Sequence, residues 1–181
     1  MKVEQLMNFD MVILDLIQGN MKSGLMDSIM PLISHLGDSG LVWIILSIGL
    51  VIPKKTRKLG FVMIIALILN GIICNIILKP MLARIRPFDV NTSIKLLINK
   101  PRDFSFPSGH TSASFTAASV LFFRRSKLFV PSLILATLIG FSRLYLYVHY
   151  PSDVVGGIIL GIVCGYMGHR IVDSKKINIK K

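Results

Sequence analysis

The sequence is poor in charged residues for its length, and this shortage restricts the class of protein. Charged residues make up 17% of the 181 positions, whereas an ordinary soluble domain contains about 25%. Hydrophobic residues make up 52%, so we expect the chain to be solvated partly by lipid. The length is enough for one domain.

Cysteines are few, and no cleavable signal peptide is evident. Cys74 and Cys164 each lie inside an apolar run, where thiols usually act as small hydrophobic groups, so a disulfide framework is not expected. The first twenty residues carry Glu4, Asp10 and Asp15. They contain no compact apolar segment before a small-residue cleavage site, which argues against a signal peptide.

Acidic residues number nine against 21 basic residues, and the net charge is +12. Such a surplus suits nucleic-acid binding when the cations form a stripe on a soluble surface. Here many cations form short clusters between apolar runs, at residues 53–58, 124–127 and 175–181. That distribution indicates membrane topology instead, and no nucleic-acid partner is predicted.

The apolar runs predict an all-α, integral-membrane helical bundle with about six transmembrane helices. The runs cover residues 21–36, 40–53, 59–78, 109–123, 128–146 and 152–171. The third contains no charged residue and reaches the ~20 residues that a span needs. The first is the weakest, because it is short and contains Asp27, Pro31 and His35.

Residues 1–20 predict an additional, amphipathic helix. Apolar residues recur there at helical spacing, whereas Asp10 and Asp15 lie off the apolar stripe. The stripe consists of Leu6, Phe9, Ile13, Leu16 and Ile17. A helix lying in the membrane interface and a helix packed on the bundle are both open interpretations.

The positive-inside rule orients the bundle. It places the three basic clusters on the cytoplasmic side. The chain then consists, after the N-terminal helix, of a transmembrane domain at residues 21–172 and a basic cytoplasmic tail at residues 173–181. The loop at residues 80–107 then faces outward, although it and its start hold six cations: Lys79, Arg84, Arg86, Lys95, Lys100 and Arg102. Either a long loop is partly exempt from the rule, or some of these cations bind an anionic substrate.

Three clusters of residues suited to phosphate chemistry lie at the predicted outward face. In the first, Lys79 and Arg86 follow the third span, where such residues usually anchor a helix at the membrane boundary. In the second, Ser108 is a predicted N-cap of the fourth span. The free amides there form an anion site that Gly109 leaves accessible, and His110 can donate a proton nearby.

The third cluster contains Arg143, His149 and Asp153, around the start of the sixth span. A carboxylate there can accept a hydrogen bond from one imidazole nitrogen and leave the other free to attack. Each cluster alone also has a purely structural interpretation, as an anchor, a capped helix or a His–Asp hydrogen bond. Together, three cations, two histidines, one carboxylate and a helix N-terminus suit phosphoryl transfer.

The segments KPMLARIRP, PSGH and SRLYLYVHYPSD resemble the complete signature of the type 2 phosphatidic acid phosphatase family. The family comprises membrane relatives of vanadium haloperoxidases and bacterial acid phosphatases. The resemblance implies that His149 is a nucleophile forming phosphohistidine, that Asp153 orients it, and that His110 is the general acid. It implies a phosphate-binding group made of Lys79, Arg86, Ser108, Gly109 and Arg143. It also implies that no metal or other cofactor takes part, and no metal-ligand cluster is evident in the sequence.

One position departs from the family pattern. Many members have glycine two residues before the nucleophilic histidine, where this chain has Tyr147, and its ring is expected to narrow the site or line the lipid entrance. The loop cations outside the signature are interpreted as solvated rather than as a second phosphate site; they are Arg84, Lys95 and Arg102. His35 faces outward too, but a place near the site is its less favoured interpretation.

The last span carries a stripe of small residues, Gly157, Gly161 and Gly165. The stripe predicts close helix packing inside the molecule, in preference to dimerisation, and the oligomeric state stays open.

The family resemblance implies a multi-pass cell-membrane phosphatase acting on a lipid phosphate ester or diphosphate at the outer face. Undecaprenyl diphosphate is the preferred substrate, because an outward site suits recycling of that carrier, and phosphatidylglycerol phosphate or phosphatidic acid is the alternative.

Two other classes of protein fit the sequence less well. A soluble vanadate-dependent haloperoxidase would not need charge-free spans, and a membrane scaffold or transporter would not need His110, His149 and Asp153 together.

Overall fold

In the computed structural model, which describes residues 2–174, every regular element is a helix. The elements are α1 Lys2–Met21, α2 Gly24–Leu36, α3 Leu41–Val51, α4 Arg57–Gly71, α5 Lys79–Leu82, α6 Pro87–Val90, α7 Gly109–Phe123, α8 Phe129–Tyr145 and α9 Pro151–Ser174. A 3-10 turn at Asp38–Gly40 precedes α3, and a π-helical segment, Ile72–Leu78, joins α4 to α5. The all-α prediction is confirmed. The predicted basic tail lies, from residue 175 onward, outside the described residues.

The helices fall where the apolar runs predict them, but few are long enough to cross a bilayer alone. Within residues 2–174, two stretches have the required length and composition, Arg57–Val90 and Pro151–Asp173. The helices α2 and α3 meet the same requirement only as a pair bent by 41°. The part of the chain that is described therefore offers two or three candidate spans by length and composition, against the six predicted.

Helix α7 is not a candidate span by length and composition, although the bundle encloses it. It lies between α4, α8 and α9, and nine of its residues are buried. Several of those are small and polar, including Ser112, Ser114 and Thr116, because they contact neighbouring helices and not lipid. A central helix of this kind has low hydropathy although it is enclosed by the bundle.

The interface between α7 and α9 depends on the predicted glycine stripe. A Cβ atom placed on Gly161 would lie 2.6 Å from the carbonyl oxygen of Ser112, and one on Gly157 would lie 2.9 Å from that of Ser108. The two backbones are thus too close to admit side chains at these positions. The interpretation of the stripe as intramolecular packing is confirmed.

The outer surface of the bundle is strongly apolar. Large hydrophobic side chains point outward from α2, α3, α4, α8 and α9, and more than half of each is exposed: Leu32, Ile45, Ile68, Ile134 and Ile159. A soluble protein rarely exposes so continuous an apolar surface. The chain is a membrane protein.

Helix α1 packs on α8 and α9 through a face that the sequence did not indicate. Asp10 and Leu14 are 1% and 0% exposed, whereas Phe9 and Leu16 of the predicted stripe are 62% and 57% exposed. Asp10, which lies off the apolar stripe, is therefore on the packed face of α1. Its burial is tolerated because the carboxylate is paired with Arg84, and a buried charge needs such a partner.

The basic clusters that the structure describes lie at one end of the bundle. Near the end of α9, Oδ1 of Asp173 lies 3.0 Å from Nζ of Lys58 and 3.0 Å from Nη1 of Arg124. The loops before α4 and after α7 therefore meet there. The predicted site residues lie at the other end of α7 and α9. A bundle whose consecutive helices run in opposite directions would separate the basic loops from the site in this way.

Substituting Gly161 with alanine tests the α7–α9 interface. The added Cβ forces the two helices apart, and overpacking of this kind costs roughly 1–3 kcal/mol. We expect a lower Tm in detergent for Gly161→Ala. In Gly49→Ala, where a Cβ meets no described atom within 4 Å, the Tm should stay equal or rise, since alanine favours helix. Equal Tm values for the two variants would contradict the packing described.

Candidate active site

At one end of the bundle, five of the eight predicted site residues line a cavity of about 250 Å³. They are Lys79, Arg86, His110, Arg143 and His149. Asp153 lies behind His149, and Ser108 and Gly109 form the adjoining start of α7. The residues come from α5, α7, α8, α9 and the loops between them, so the fold brings distant parts of the chain together.

His149 lies two residues before the start of α9 and is 1% exposed. Its Nδ1 lies 3.3 Å from Oδ2 of Asp153, and its Nε2 lies 3.2 Å from Nη1 of Arg86. Because a carboxylate accepts and a guanidinium donates, the proton belongs on Nδ1 and the lone pair on Nε2. Burial, with the charges of Arg86 and Arg143, lowers the pKa of His149 well below its ordinary value, and the ring is therefore neutral.

The carboxylate of Asp153 is fully buried and accepts hydrogen bonds from several directions. Besides facing His149, Oδ2 accepts from the Ser105 hydroxyl at 2.5 Å and from the backbone N–H of Tyr150 at 2.9 Å. Oδ1 accepts from Nη1 of Arg84 at 2.6 Å. These donors satisfy a charge that would otherwise be costly to bury, and they fix its direction toward His149.

Lys79 and Arg86 are both buried and share one carboxylate, that of Asp103. Lys79 follows the π-helical segment and pairs with Oδ2, while Nη2 of Arg86 donates to Oδ1 at 2.7 Å. Partial burial disfavours the ionised form of Asp103, but the hydrogen bond and charge of Lys79, aided by Arg86, outweigh it and hold the pKa far below its usual range. An incoming phosphate would compete with Asp103 for the same two cations.

Arg143 completes the group of cations near the end of α8. It is 3% exposed, and its Nη1 donates to the Ser34 hydroxyl of α2. Its buried Nε has no hydrogen-bond partner among the described residues. Since a buried donor left unpaired is costly, this N–H indicates a place for an anionic oxygen.

Helix α7 begins against the start of α9. The Ser108 hydroxyl accepts from the Thr111 N–H at 3.5 Å, and the Ser108 N–H donates to the backbone oxygen of Asp153 at 3.1 Å. A Cβ on Gly109 would lie 3.7 Å from Nζ of Lys79, so the backbone approaches the cation closely. Both features place the N-terminus of α7 beside the phosphate-binding cations.

His110 in the first turn of α7 is held by a carboxylate that the sequence did not indicate. Its Nε2 lies 2.8 Å from Oδ1 of Asp38, and the other oxygen of Asp38 lies 2.7 Å from Nδ1 of His35. Partial burial disfavours the charge on Asp38, but both imidazoles outweigh it and lower its pKa. His35 lines the cavity, so its less favoured interpretation, a place near the site, is the correct one.

Arg84 is a loop cation whose place the sequence did not indicate. Its guanidinium lies between Asp10 and Asp153 and 4.0 Å from the ring centre of Tyr150. The expectation that it is solvated in the loop is wrong, because it is held in two ion pairs. Lys95 and Arg102 are exposed, as expected.

Tyr147 is not among the residues that line the cavity, so the expectation that its ring narrows the site is wrong, and its burial leaves no exposed surface to line a lipid entrance. It is fully buried and packs in a cluster with Leu14 and Phe88, and its hydroxyl donates to Asp15 at 2.7 Å. Its φ is +59°, a left-handed conformation that favours glycine. That backbone explains why glycine suits this position and why a tyrosine needs compensating contacts.

Sequence reasoning missed the acidic residues that hold the cations and histidines in place: Asp10, Asp38 and Asp103, together with the hydroxyl of Ser105. One signal was available for Asp103, which is the only acidic residue between positions 90 and 152. A lone carboxylate among loop cations is a candidate ion-pair partner. Within residues 2–174, no group of three or more His, Cys, Asp or Glu side chains is arranged to hold a metal ion.

Comparison with known proteins identifies the family. The family model of the PAP2 superfamily matches residues 56–177. An undecaprenyl-diphosphatase of Sulfolobus acidocaldarius is 33% identical over 175 residues, which cover 96% of this chain and 84% of that protein. Undecaprenyl-diphosphatase BcrC of Bacillus subtilis is 32% identical over 155 residues, which cover 83% of this chain and 77% of that protein.

A solved structure shows the same fold. The crystal structure of Aquifex aeolicus LpxE superposes with a TM-score of 0.77 at 32% identity, covering 88% of this chain and 94% of that one. The family model, the relatives and the solved structure agree. This chain belongs to the PAP2 superfamily of lipid phosphatases.

Proposed function

We propose that the protein is an undecaprenyl-diphosphate phosphatase that removes the terminal phosphate of its lipid at the outer face of the cell membrane. The observation that carries the proposal is a neutral, buried His149, backed by Asp153, facing a cavity surrounded by three buried cations. Two relatives that cover most of the chain are undecaprenyl-diphosphatases, which favours this diphosphate over other lipid phosphates.

In the first step, the Nε2 lone pair of His149 attacks the terminal phosphorus. An N–P bond forms while the bond from phosphorus to the bridging oxygen breaks. His110, which starts protonated and paired with Asp38, gives a proton to that oxygen, so undecaprenyl phosphate leaves. In the second step, water attacks the phosphohistidine and gives a proton to His110. Inorganic phosphate is released, and both histidines return to their starting states. No metal is required in either step.

The cations stabilise the charge that the transferring phosphoryl group carries. Lys79, Arg86 and Arg143 surround the cavity, and the unpaired Nε–H of Arg143 offers a donor ready for a phosphate oxygen. Preorganised donors of this kind act strongly where water is excluded. The carboxylate of Asp153 stabilises the positive charge that His149 acquires as its N–P bond forms, by the logic of a histidine held by a buried aspartate.

The proposed topology has six crossings, formed by α2, α3, α4 with its π-helical segment, α7, α8 and α9. Helix α1 then lies at the membrane surface beside the site. Two basic loops meet at the end of the bundle away from the cavity, and the positive-inside rule makes that end cytoplasmic. The lipid would therefore reach the cavity sideways from the outer leaflet.

A substrate panel tests the proposal. Phosphate release by the detergent-solubilised protein, measured in EDTA, should give the highest kcat/KM with undecaprenyl diphosphate, above phosphatidylglycerol phosphate and phosphatidic acid. His149→Ala should lower kcat by at least ~1,000-fold, because it removes the nucleophile. A clear preference for either glycerophospholipid would overturn the substrate, and near wild-type release by His149→Ala would overturn the mechanism.

Asp103→Asn should strengthen inhibition by inorganic phosphate. The carboxylate occupies Lys79 and Arg86 and repels an anion, so its neutralisation should lower the inhibition constant roughly fivefold, about 1 kcal/mol for a partly exposed ion pair. Asp89→Asn is the matched control, because Asp89 pairs with Lys100 on the surface and carries the same charge. Equal changes in both variants would mean that general surface charge, and not competition at the site, is responsible.

Cysteine labelling tests the orientation. Thr92 in the loop beside the site and Lys127 at the opposite end are both exposed, whereas the native Cys74 and Cys164 are buried. A membrane-impermeant maleimide should label Thr92→Cys in intact cells and Lys127→Cys only after lysis. The reverse pattern would show that the cavity faces the cytoplasm.

A further inference from the structure

Helix α1 lies outside residues 56–177, the part of the chain that the family model matches, yet it reaches the site. Asp10 of α1 is 1% exposed. Its Oδ1 accepts from the Ser152 N–H at 3.0 Å, and its Oδ2 accepts from Nη2 of Arg84 at 2.7 Å and from the Ser152 hydroxyl. The carboxylate thus binds both the start of α9 and a cation of the loop between α5 and α6.

Arg84 continues this chain of contacts to Asp153. While Nη2 binds Asp10, Nη1 donates to Oδ1 of Asp153 at 2.6 Å and to the Ser152 hydroxyl at 2.7 Å. The guanidinium also lies against the ring of Tyr150, 4.0 Å from its centre. Its direction is therefore fixed by two carboxylates, a hydroxyl and an aromatic face.

The alternation of negative, positive and negative charge along Asp10, Arg84 and Asp153 affects the electrostatic environment of His149. With Arg84 as its only charged partner, Asp153 would belong to a neutral ion pair, and Arg84 would compete with the imidazole for the carboxylate. A second carboxylate on the far side of Arg84 gives the three groups a net negative charge. Electrostatic interactions are strong at such buried positions, so this surplus favours the positive charge that His149 gains during attack.

We propose that Asp10 is a positioning residue for the phosphatase reaction, acting through Arg84 to hold Asp153 against His149 and to keep its negative charge effective there. The inference rests on the proposed role of His149 as nucleophile. It makes the N-terminal helix part of the catalytic apparatus, although the residues that touch substrate all lie in later segments.

A simpler role for Asp10 would be to dock α1 and cap α9. Asp15 provides the matched control, because it lies on the same helix and accepts from the Tyr147 hydroxyl at 2.7 Å in the segment that carries His149. In the described structure it bonds to neither Arg84 nor Asp153. If docking alone mattered, Asp10→Asn and Asp15→Asn would lower kcat alike.

The experiment compares kcat, KM and Tm of full-length variants with undecaprenyl diphosphate. Asp10→Asn should lower kcat roughly tenfold, the scale typical of groups that orient a reacting side chain, with KM changed less than about twofold. Asp10→Glu should recover part of the loss, and Asp15→Asn should keep the wild-type kcat whatever its Tm. A fall of kcat in Asp15→Asn equal to that in Asp10→Asn, or a loss carried by KM, would overturn the proposal.

A double variant tests the route through Arg84. In an Arg84→Gln background, Asp10→Asn should cause little further loss of kcat, because the connection to Asp153 is already broken; additive losses would contradict it. Arg84→Lys keeps the charge but replaces the two-nitrogen fork, which gives one nitrogen to each carboxylate, by a single ammonium that does not reproduce this geometry. It should therefore lower kcat even if Asp10→Asn fails to fold, and a wild-type kcat would overturn the route. Full activity in these variants contradicts only this inference, whereas a wild-type protein inactive on every lipid phosphate contradicts the proposed function.

Discussion

The buried carboxylate of Asp153 is the constraint on which the rest of the site depends. A charge removed from water is costly by several kcal/mol unless it is paired and hydrogen-bonded, and this one is 0% exposed. Its partners come from the loop before α7, the residue before α9 and the loop between α5 and α6, namely Ser105, Tyr150 and Arg84. The hydrogen bonds and the ion pair that stabilise this one carboxylate therefore hold three segments of the chain together around His149.

The geometry of the site depends on the packing of the helical bundle. The glycine stripe of α9 lets α7 approach so closely that the start of α7 bonds to the backbone of Asp153 through Ser108. That contact brings His110 and His149 to the lining of one cavity. A small widening of the helix interface would separate the proposed acid from the proposed nucleophile, so packing in the membrane controls the geometry of the chemistry.

The sequence predicted the helices and the convergence of the signature residues, because apolar runs locate helices and alternating loops place their ends. It could not predict the carboxylate partners, since Asp10 and Arg84 lie 74 positions apart and meet only in the folded chain. It also misjudged the packed face of α1. In lipid, an apolar stripe can face outward, as Phe9 does, while a paired charge such as Asp10 faces the protein.

The central claim is that the phosphoryl group passes through a covalent bond to Nε2 of His149. The most direct test is to mix the protein with substrate labelled in its terminal phosphate, quench within one turnover under alkaline denaturing conditions, and locate the label by peptide mass spectrometry. The account predicts an acid-labile phosphoryl group on His149 and none on His35 or His110. Label on another residue, or turnover without a covalent intermediate, would contradict it.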